Sequence, residues 1–269
     1  MKITLAQLPV QRDIWQNYNG VLAVLREAVQ GSWVVFPEGM LTGLFPDDPY
    51  WLAQYYDIKA MAEALNLVRQ SEARKQYAIL LGCVMPIRQP LFNTAVVMHP
   101  ITRSFVYRKV NLDVAERRLF NAGGELRVYR APDASIGVQM GREVLYPEQW
   151  RVLRRRGAGV IFHLNNTAAI TAQRWRNLLI SRALENQCYI VSVNTGAAGA
   201  TLSSLVVNPA GEVVVETTAG KRQIESVTLD LSLAKSDHVR QMRNDVVELI
   251  PKDVATSDDR DWQTVPDEA

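Results

Sequence analysis

The chain has little cysteine: two residues in 269, Cys83 and Cys188, each inside an apolar run ("LLGCVMP" and "CYIVSV"). Two isolated thiols supply neither a disulfide framework nor the close spacing of a cysteine metal site, and they fit a reducing cytoplasm. Long apolar runs are missing too, since none approaches the ~18 residues that a membrane span needs. The opening "MKITLAQLPV" carries one lysine and a strand-like alternation, not the pattern of a signal peptide. A charge excess of one sign is also absent. With 30 basic and 28 acidic side chains the net charge is +2, which leaves no footprint for nucleic acid. One basic cluster, Arg151, Arg154, Arg155 and Arg156, falls on a single predicted helix and reads as a solvated face, because only Trp150 is near enough to offer base stacking. These absences leave a cytoplasmic, water-soluble globular protein.

What is present is a near-continuous alternation of strand-like and helix-like segments, with no linker or repeat. "KITLAQL" is a first strand. Residues 14–30 form a helix with Val21, Leu22, Leu25 and Val29 at helical spacing, and "WVVFPEG" is a buried strand ending in a proline turn. Residues 58–75 give a second amphipathic helix. "YAILLGCVM", "FNTAVVMHP" and "RSFVYRKV" follow as strands, the last two an antiparallel ribbon. After a loop at 111–126, "SIGVQMGREVLYPEQWR" reads as a short strand, a tight elbow and a helix opened by Pro147. "AGVIFHL", the helix "TAQRWRNLLISRALEN", "CYIVSVN", a hairpin in "SLVVNPAGEVVVET" and "IESVTLDL" complete the pattern. The ribbons argue against a simple doubly wound sheet and favour an α/β fold of two mixed sheets faced by helices. One domain is expected over 1–250. Residues 251–269 form an acidic tail of net charge −4 with few large apolar residues.

Three separated pieces look chemical. In "FPEGMLTG", Glu38 directly follows an apolar strand and a proline, at the strand end where α/β folds gather their sites. In "YRKVNL", Lys109 ends a strand flanked by Val106 and Val110. The elbow carries Gly141, then Arg142 and Glu143. Each has an ordinary alternative on its own: a turn carboxylate, a solvated lysine, a turn glycine.

Together with "LFNTAVV", "ERRLFNAG" and "SRALENQCYIVSVNTG", these pieces resemble the nitrilase (carbon–nitrogen hydrolase) superfamily, in its motif order and over nearly the whole chain. Glu38 and Lys109 stand 71 residues apart, and Lys109 and Gly141 stand 32 apart. The resemblance implies a four-layer α-β-β-α sandwich, a homodimer or larger assembly, no cofactor and no metal. It implies a Glu–Lys–Cys triad in which a thiolate attacks an amide or nitrile carbon, a carboxylate moves the proton and an ammonium faces the oxyanion. Glu38 matches the base, Lys109 the cation and Glu116 a second glutamate that helps to position substrate. The strand-end loop "FHLNNTAA" could bring Asn165 or Asn166 over the pocket, as the family's does, and Arg142 is a substrate-binding candidate beside the elbow. The cysteine position falls on Gly141.

Without a thiol the covalent route has no first step. Met140 is a thioether, and Cys83 and Cys188 read as small core residues. Glycine tolerates a strained elbow at no steric cost, so the fold can persist. Three functions remain open: a protein of amide-hydrolase lineage that no longer hydrolyses by the covalent route, a non-catalytic binder of a small amide or carboxylate or a scaffold pairing with a partner, and a weak hydrolase in which Glu38 activates water in the space the thiol would fill.

Overall fold

A computed structural model describes residues 1–243 apart from 49, 76, 89, 167–169 and 236. The expected acidic tail at 251–269 lies outside the described residues. In chain order the elements are β1 (Lys2–Gln7), α1 (Ile14–Glu27), β2 (Trp33–Val35), α2 (Trp51–Tyr55), α3 (Ile58–Lys75), β3 (Ala78–Pro86), β4 (Leu91–Met98) and β5 (Phe105–Arg108). Then come β6 (Tyr129–Arg130), β7 (Ser135–Met140), α4 (Pro147–Arg155), β8 (Val160–Leu164), α5 (Ala172–Asn186), β9 (Tyr189–Val193), β10 (Leu205–Val207), β11 (Val213–Glu216), β12 (Gln223–Thr228) and α6 (Asp237–Gln241).

The strands form two six-stranded sheets, ordered β12-β1-β2-β3-β4-β5 and β11-β10-β9-β8-β7-β6. Each has a parallel centre, β1–β2–β3 in one and β7–β8–β9 in the other, with antiparallel strands outside it. Both faces of these central strands are buried, so their residues sort by alternation into two different cores. Ile3, Leu5, Trp33, Val35 and Leu80 of the first sheet meet Val138, Phe162, Leu164 and Val191 of the second, and Trp33 stacks on Phe162 at 5.6 Å. On the outer face of the first sheet, Val34, Phe36, Ile79 and Leu81 pack under Val21, Val24 and Leu25 of α1 and Met61, Leu65 and Val68 of α3. On the outer face of the second, Ile161, Ile190 and Leu205 pack under Trp150 and Leu153 of α4 and Trp175, Leu179 and Ala183 of α5. Two sheets back to back between two helical layers make the expected four-layer α-β-β-α sandwich.

Three details differ from the sequence reading. Helix α1 stops at Glu27, because Ala28 turns extended (ψ 150°) and sends the chain towards β2, which leaves Val29 42% exposed. The arginines of α4 are not one solvated face. Arg154 is buried and donates to the carbonyls of Ala158, Ala234 and Lys235, Arg151 donates to Glu185 O, and Arg156 donates to Leu126 O. They fasten α4 to neighbouring loops. The short α2 and β6 fall in stretches to which the sequence reading assigned no element, both too brief to show a period.

Candidate functional site

The parallel centres of the two sheets send their C-terminal ends towards the same place, and the sequence-flagged residues collect there. Glu38 follows β2. Its loop crosses directly over β3 at Gly82, where a Cβ would lie 2.5 Å from Gly39 N and 2.8 Å from Glu38 Cα, so only glycine permits the crossing. Lys109 follows β5, with its N–H donating to Asn93 O at 2.9 Å. Glu116 opens a single turn of 3-10 helix, closed by reciprocal bonds: its N–H donates to Asp113 Oδ1 and its Oε2 accepts from Asp113 N. All three side chains are buried.

Their functional groups converge. Lys109 Nζ donates to Glu38 Oε1 at 2.9 Å and to Glu116 Oε1 at 2.7 Å. Asn93, on β4, donates from Nδ2 to the same two oxygens at 2.8 Å each, so one amide and one ammonium bridge two carboxylates. Burial alone would lower the Lys109 pKa, but the charges of Glu38 and Glu116 outweigh it and hold the ammonium above an ordinary lysine. Burial raises the Glu38 pKa, Lys109 opposes this and Glu116 adds to it, which leaves Glu38 above an ordinary glutamate.

The elbow sits against this cluster. Strand β7 ends at Met140 and the chain turns through Gly141 with φ +49°, into a 3-10 turn (Gly141–Leu145) that Pro147 closes by starting α4. A Cβ at Gly141 would lie 2.7 Å from Lys109 Nζ and 2.9 Å from Glu38 Oε2. The ammonium and carboxylate therefore crowd the first side-chain atom that any residue other than glycine would place there.

The elbow is tied from both sides. Glu143, fully buried, accepts from Met140 N (2.7 Å), Val110 N (2.8 Å), Asn111 N (3.0 Å) and the Tyr107 hydroxyl (2.8 Å). Burial pushes its carboxyl up to about 7 against those donors and Lys109. Trp150 Nε1 donates to Glu143 O, and Arg182 donates from Nε and Nη2 to Val144 O. Arg182 is thus a buried clamp on the elbow. Behind the turn, His163 holds Gly141 O at 2.8 Å through Nε2, which must carry the proton because a carbonyl only accepts. Its Nδ1 faces Ser192 Oγ at 3.1 Å, and the ring lies between Trp150 and Trp175, with burial holding its pKa down to about 3. This imidazole is neutral.

The other flagged residues divide. Asn166 reaches the cluster, with its N–H directed at Glu38 Oε2 (3.3 Å) and its Nδ2 donating to Leu44 O. Asn165 is buried beside it and donates to Asn194 Oδ1. Arg142 is exposed and lines a cavity of about 950 Å³ that also meets Gly141 and Asn165. Residues 44–48 of the "LFPDDPYW" loop that follows Glu38 do not line it. Cys83 and Cys188 are buried in separate cores, and burial pushes their thiols up to about 11 and about 12, so neither offers a thiolate. Among the described residues no cluster of three metal-ligating side chains occurs, and no helix is long and apolar enough to cross a membrane. Glu143, already marked in the sequence as part of the elbow, anchors it, and Asn93, Tyr107 and His163 complete the site, in which the sequence reading gave none of these three a place. The one available signal was a polar side chain in an otherwise apolar strand, as in "VIFHL".

The family model for carbon-nitrogen hydrolases matches residues 2–238. An (R)-stereoselective amidase from a Pseudomonas species is 29% identical over 245 residues, covering 88% of this chain and 87% of the amidase. A glutamine-dependent NAD(+) synthetase from Aquifex aeolicus is 26% identical over 257 residues, which take in 90% of this chain and 45% of the synthetase. Among solved structures, an amidase from Nesterenkonia sp. AN1 superposes with a TM-score of 0.79 at 23% identity, over 91% of this chain and 98% of that one.

Proposed function

Since the chain belongs to the carbon–nitrogen hydrolase family, with the amidase lineage of that family, we propose that it no longer cleaves amides covalently and instead binds a small amide or carboxylate at its elbow. The observation that carries this reading is the pairing of Gly141 with the groups lying against it. No thiol stands at the turn, and Lys109 Nζ and Glu38 Oε2 come within 2.7 and 2.9 Å of where a Cβ would be. In this reading Glu38 is the former base, Lys109 the former oxyanion partner and Glu116 their charge partner, kept together because separating them would strand buried charge.

A water-activating hydrolase is less well supported. The ammonium and carboxylate crowd the position beside Gly141, and water is neither positioned there nor as nucleophilic as a thiolate. The buried free thiols accord with a reducing cytoplasm, and a homodimer is the assembly we propose, to be read by sedimentation.

The test is ammonia release from a panel of aliphatic and aromatic primary amides at high protein concentration, run beside thermal melts with the same amides and their acids. The expected result is ligand-dependent stabilisation with no ammonia above background. Turnover that disappears in Glu38→Gln would overturn the proposal in favour of water activation.

A further inference from the structure

The cavity beside the elbow runs along the N-terminal half of α5. Its walls are largely apolar, with Val144, Leu145 and Leu178 among them, and it is lined by two arginines, Arg142 and Arg174, and by no acidic side chain. Both arginines are exposed, and neither has an ion-pair partner among the described residues. The contrast with Arg182 on the same helix is informative, since its charge is taken up by Glu185 and by Val144 O. Thr171 and Ala172 bring the positive end of the 15-residue α5 to the same wall.

An independent feature points to an occupant. Trp175 lines the cavity, is only 2% exposed, and its Nε1–H has no hydrogen-bond partner among the described residues. A buried donor left unpaired is costly, and a ligand oxygen would satisfy it. Two unneutralised guanidinium groups, an unpaired indole N–H and apolar walls describe a particular chemistry.

We propose that this cavity binds a small organic acid, its carboxylate held by Arg142 and Arg174 and its apolar body lying on Leu145, Leu178 and the Trp175 ring. A neutral amide would use the walls and leave the arginines unpaired. A phosphate would use the arginines and leave the walls bare. The cavity volume is in the range of ordinary small-ligand sites, which run to about 1,000 Å³. The inference deepens the reading of the elbow as a binding site by naming the ligand class.

Calorimetric titration of the full chain with phenylacetate and with phenylacetamide, a pair of similar shape differing in charge, tests it. The acid is expected to bind at least about tenfold more tightly, the scale of one charge-assisted hydrogen bond. Added salt should weaken the acid and not the amide. The double variant Arg142→Gln/Arg174→Gln should abolish that preference and leave the melting temperature of the free protein unchanged, since both side chains are exposed. Trp175→Phe, which keeps a ring beside His163, should weaken the acid several-fold. Equal binding of acid and amide, a preference that survives the double variant, or no heat from either up to millimolar concentration would each overturn the proposal. So would sedimentation showing that the double variant dissociates an oligomer while the acid never bound, since the arginines would then form a subunit contact. Ammonia from phenylacetamide with the acid preference intact would overturn the non-hydrolytic reading and leave this one standing.

Discussion

At Gly141 the missing side chain has consequences beyond the missing nucleophile. Lys109 Nζ is held by Glu38 and Glu116 at 2.9 and 2.7 Å and lies against the glycine, so it is not a loose end that swings aside freely. A substituent at 141 must displace the tip of a side chain that two carboxylates hold, from a backbone at φ +49° that L-residues seldom adopt. Gly141→Ala and Gly141→Cys are therefore expected to lose about 1–3 kcal/mol in urea denaturation, as overpacked sites do. An unchanged midpoint would mean that the cluster yields easily. Lys109 carries the larger stake. Lys109→Met leaves two buried carboxylates facing each other through Asn93, and the expected loss is about 3–5 kcal/mol at pH 7. That loss should shrink towards pH 5, because the uncompensated carboxylates can then take up a proton. A loss independent of pH would show that lost packing, not stranded charge, sets the cost.

At the scale of elements, the elbow is held by a carboxylate on one side and an imidazole on the other, and their pH responses oppose each other. Glu143 rises from an ordinary 4.5 to about 7 on folding. Between those values the folded protein keeps a proton that the unfolded chain has released, so this group's contribution to stability falls as pH rises. His163 drops from 6.5 to about 3. Over that window the unfolded chain binds the extra proton, and stability rises with pH. At roughly 1.4 kcal/mol per pKa unit the two slopes are similar, and they largely cancel where they overlap. Glu143→Gln removes the falling slope, so the variant should gain about 1–3 kcal/mol relative to wild type between pH 5 and pH 6.5 in denaturant titrations. An identical pH dependence in both proteins would show that Glu143 stays ionised in the fold. Glu143 could be read from the sequence through its place beside the elbow, but His163 could not. Helix starts and strand runs were legible because they depend on spacing and capping within one segment: Asp13 caps α1 and Thr171 caps α5 through their own side chains. Glu38, Lys109, Glu116 and Gly141 were legible through their motifs. Asn93, Tyr107 and His163 depend on contacts across both sheets, and a single polar residue inside an apolar strand carries no sign of what it faces.

At the scale of the whole molecule, the site is a seam. Glu38, Asn93, Lys109 and Glu116 come from the first sheet and the chain leaving it, while Gly141, His163 and Asn165 come from the second. Their distances are therefore set by how the sheets pack, and the shared core between the sheets is what fixes that packing. Trp33 and Phe162, one from each sheet, stack at its centre with interplanar angle 20°, and both are buried. The edges reinforce the join within the first sheet, where β12 pairs with β1 across the length of the chain, Ile3 opposite Val227, and the Met1 ammonium donates to Leu229 O. A molecule joined in this way should unfold as one unit even when the join is weakened. Phe162→Ala removes a buried ring from the shared core and is expected to lose about 3–5 kcal/mol. Tryptophan fluorescence and far-ultraviolet circular dichroism should still report one coincident transition. If the two probes separate, the halves fold independently and the seam is a contact between finished layers. If they stay coincident, the geometry at Gly141 depends on the core shared by the two sheets, and mutations in that core should perturb ligand binding at the elbow as well as stability.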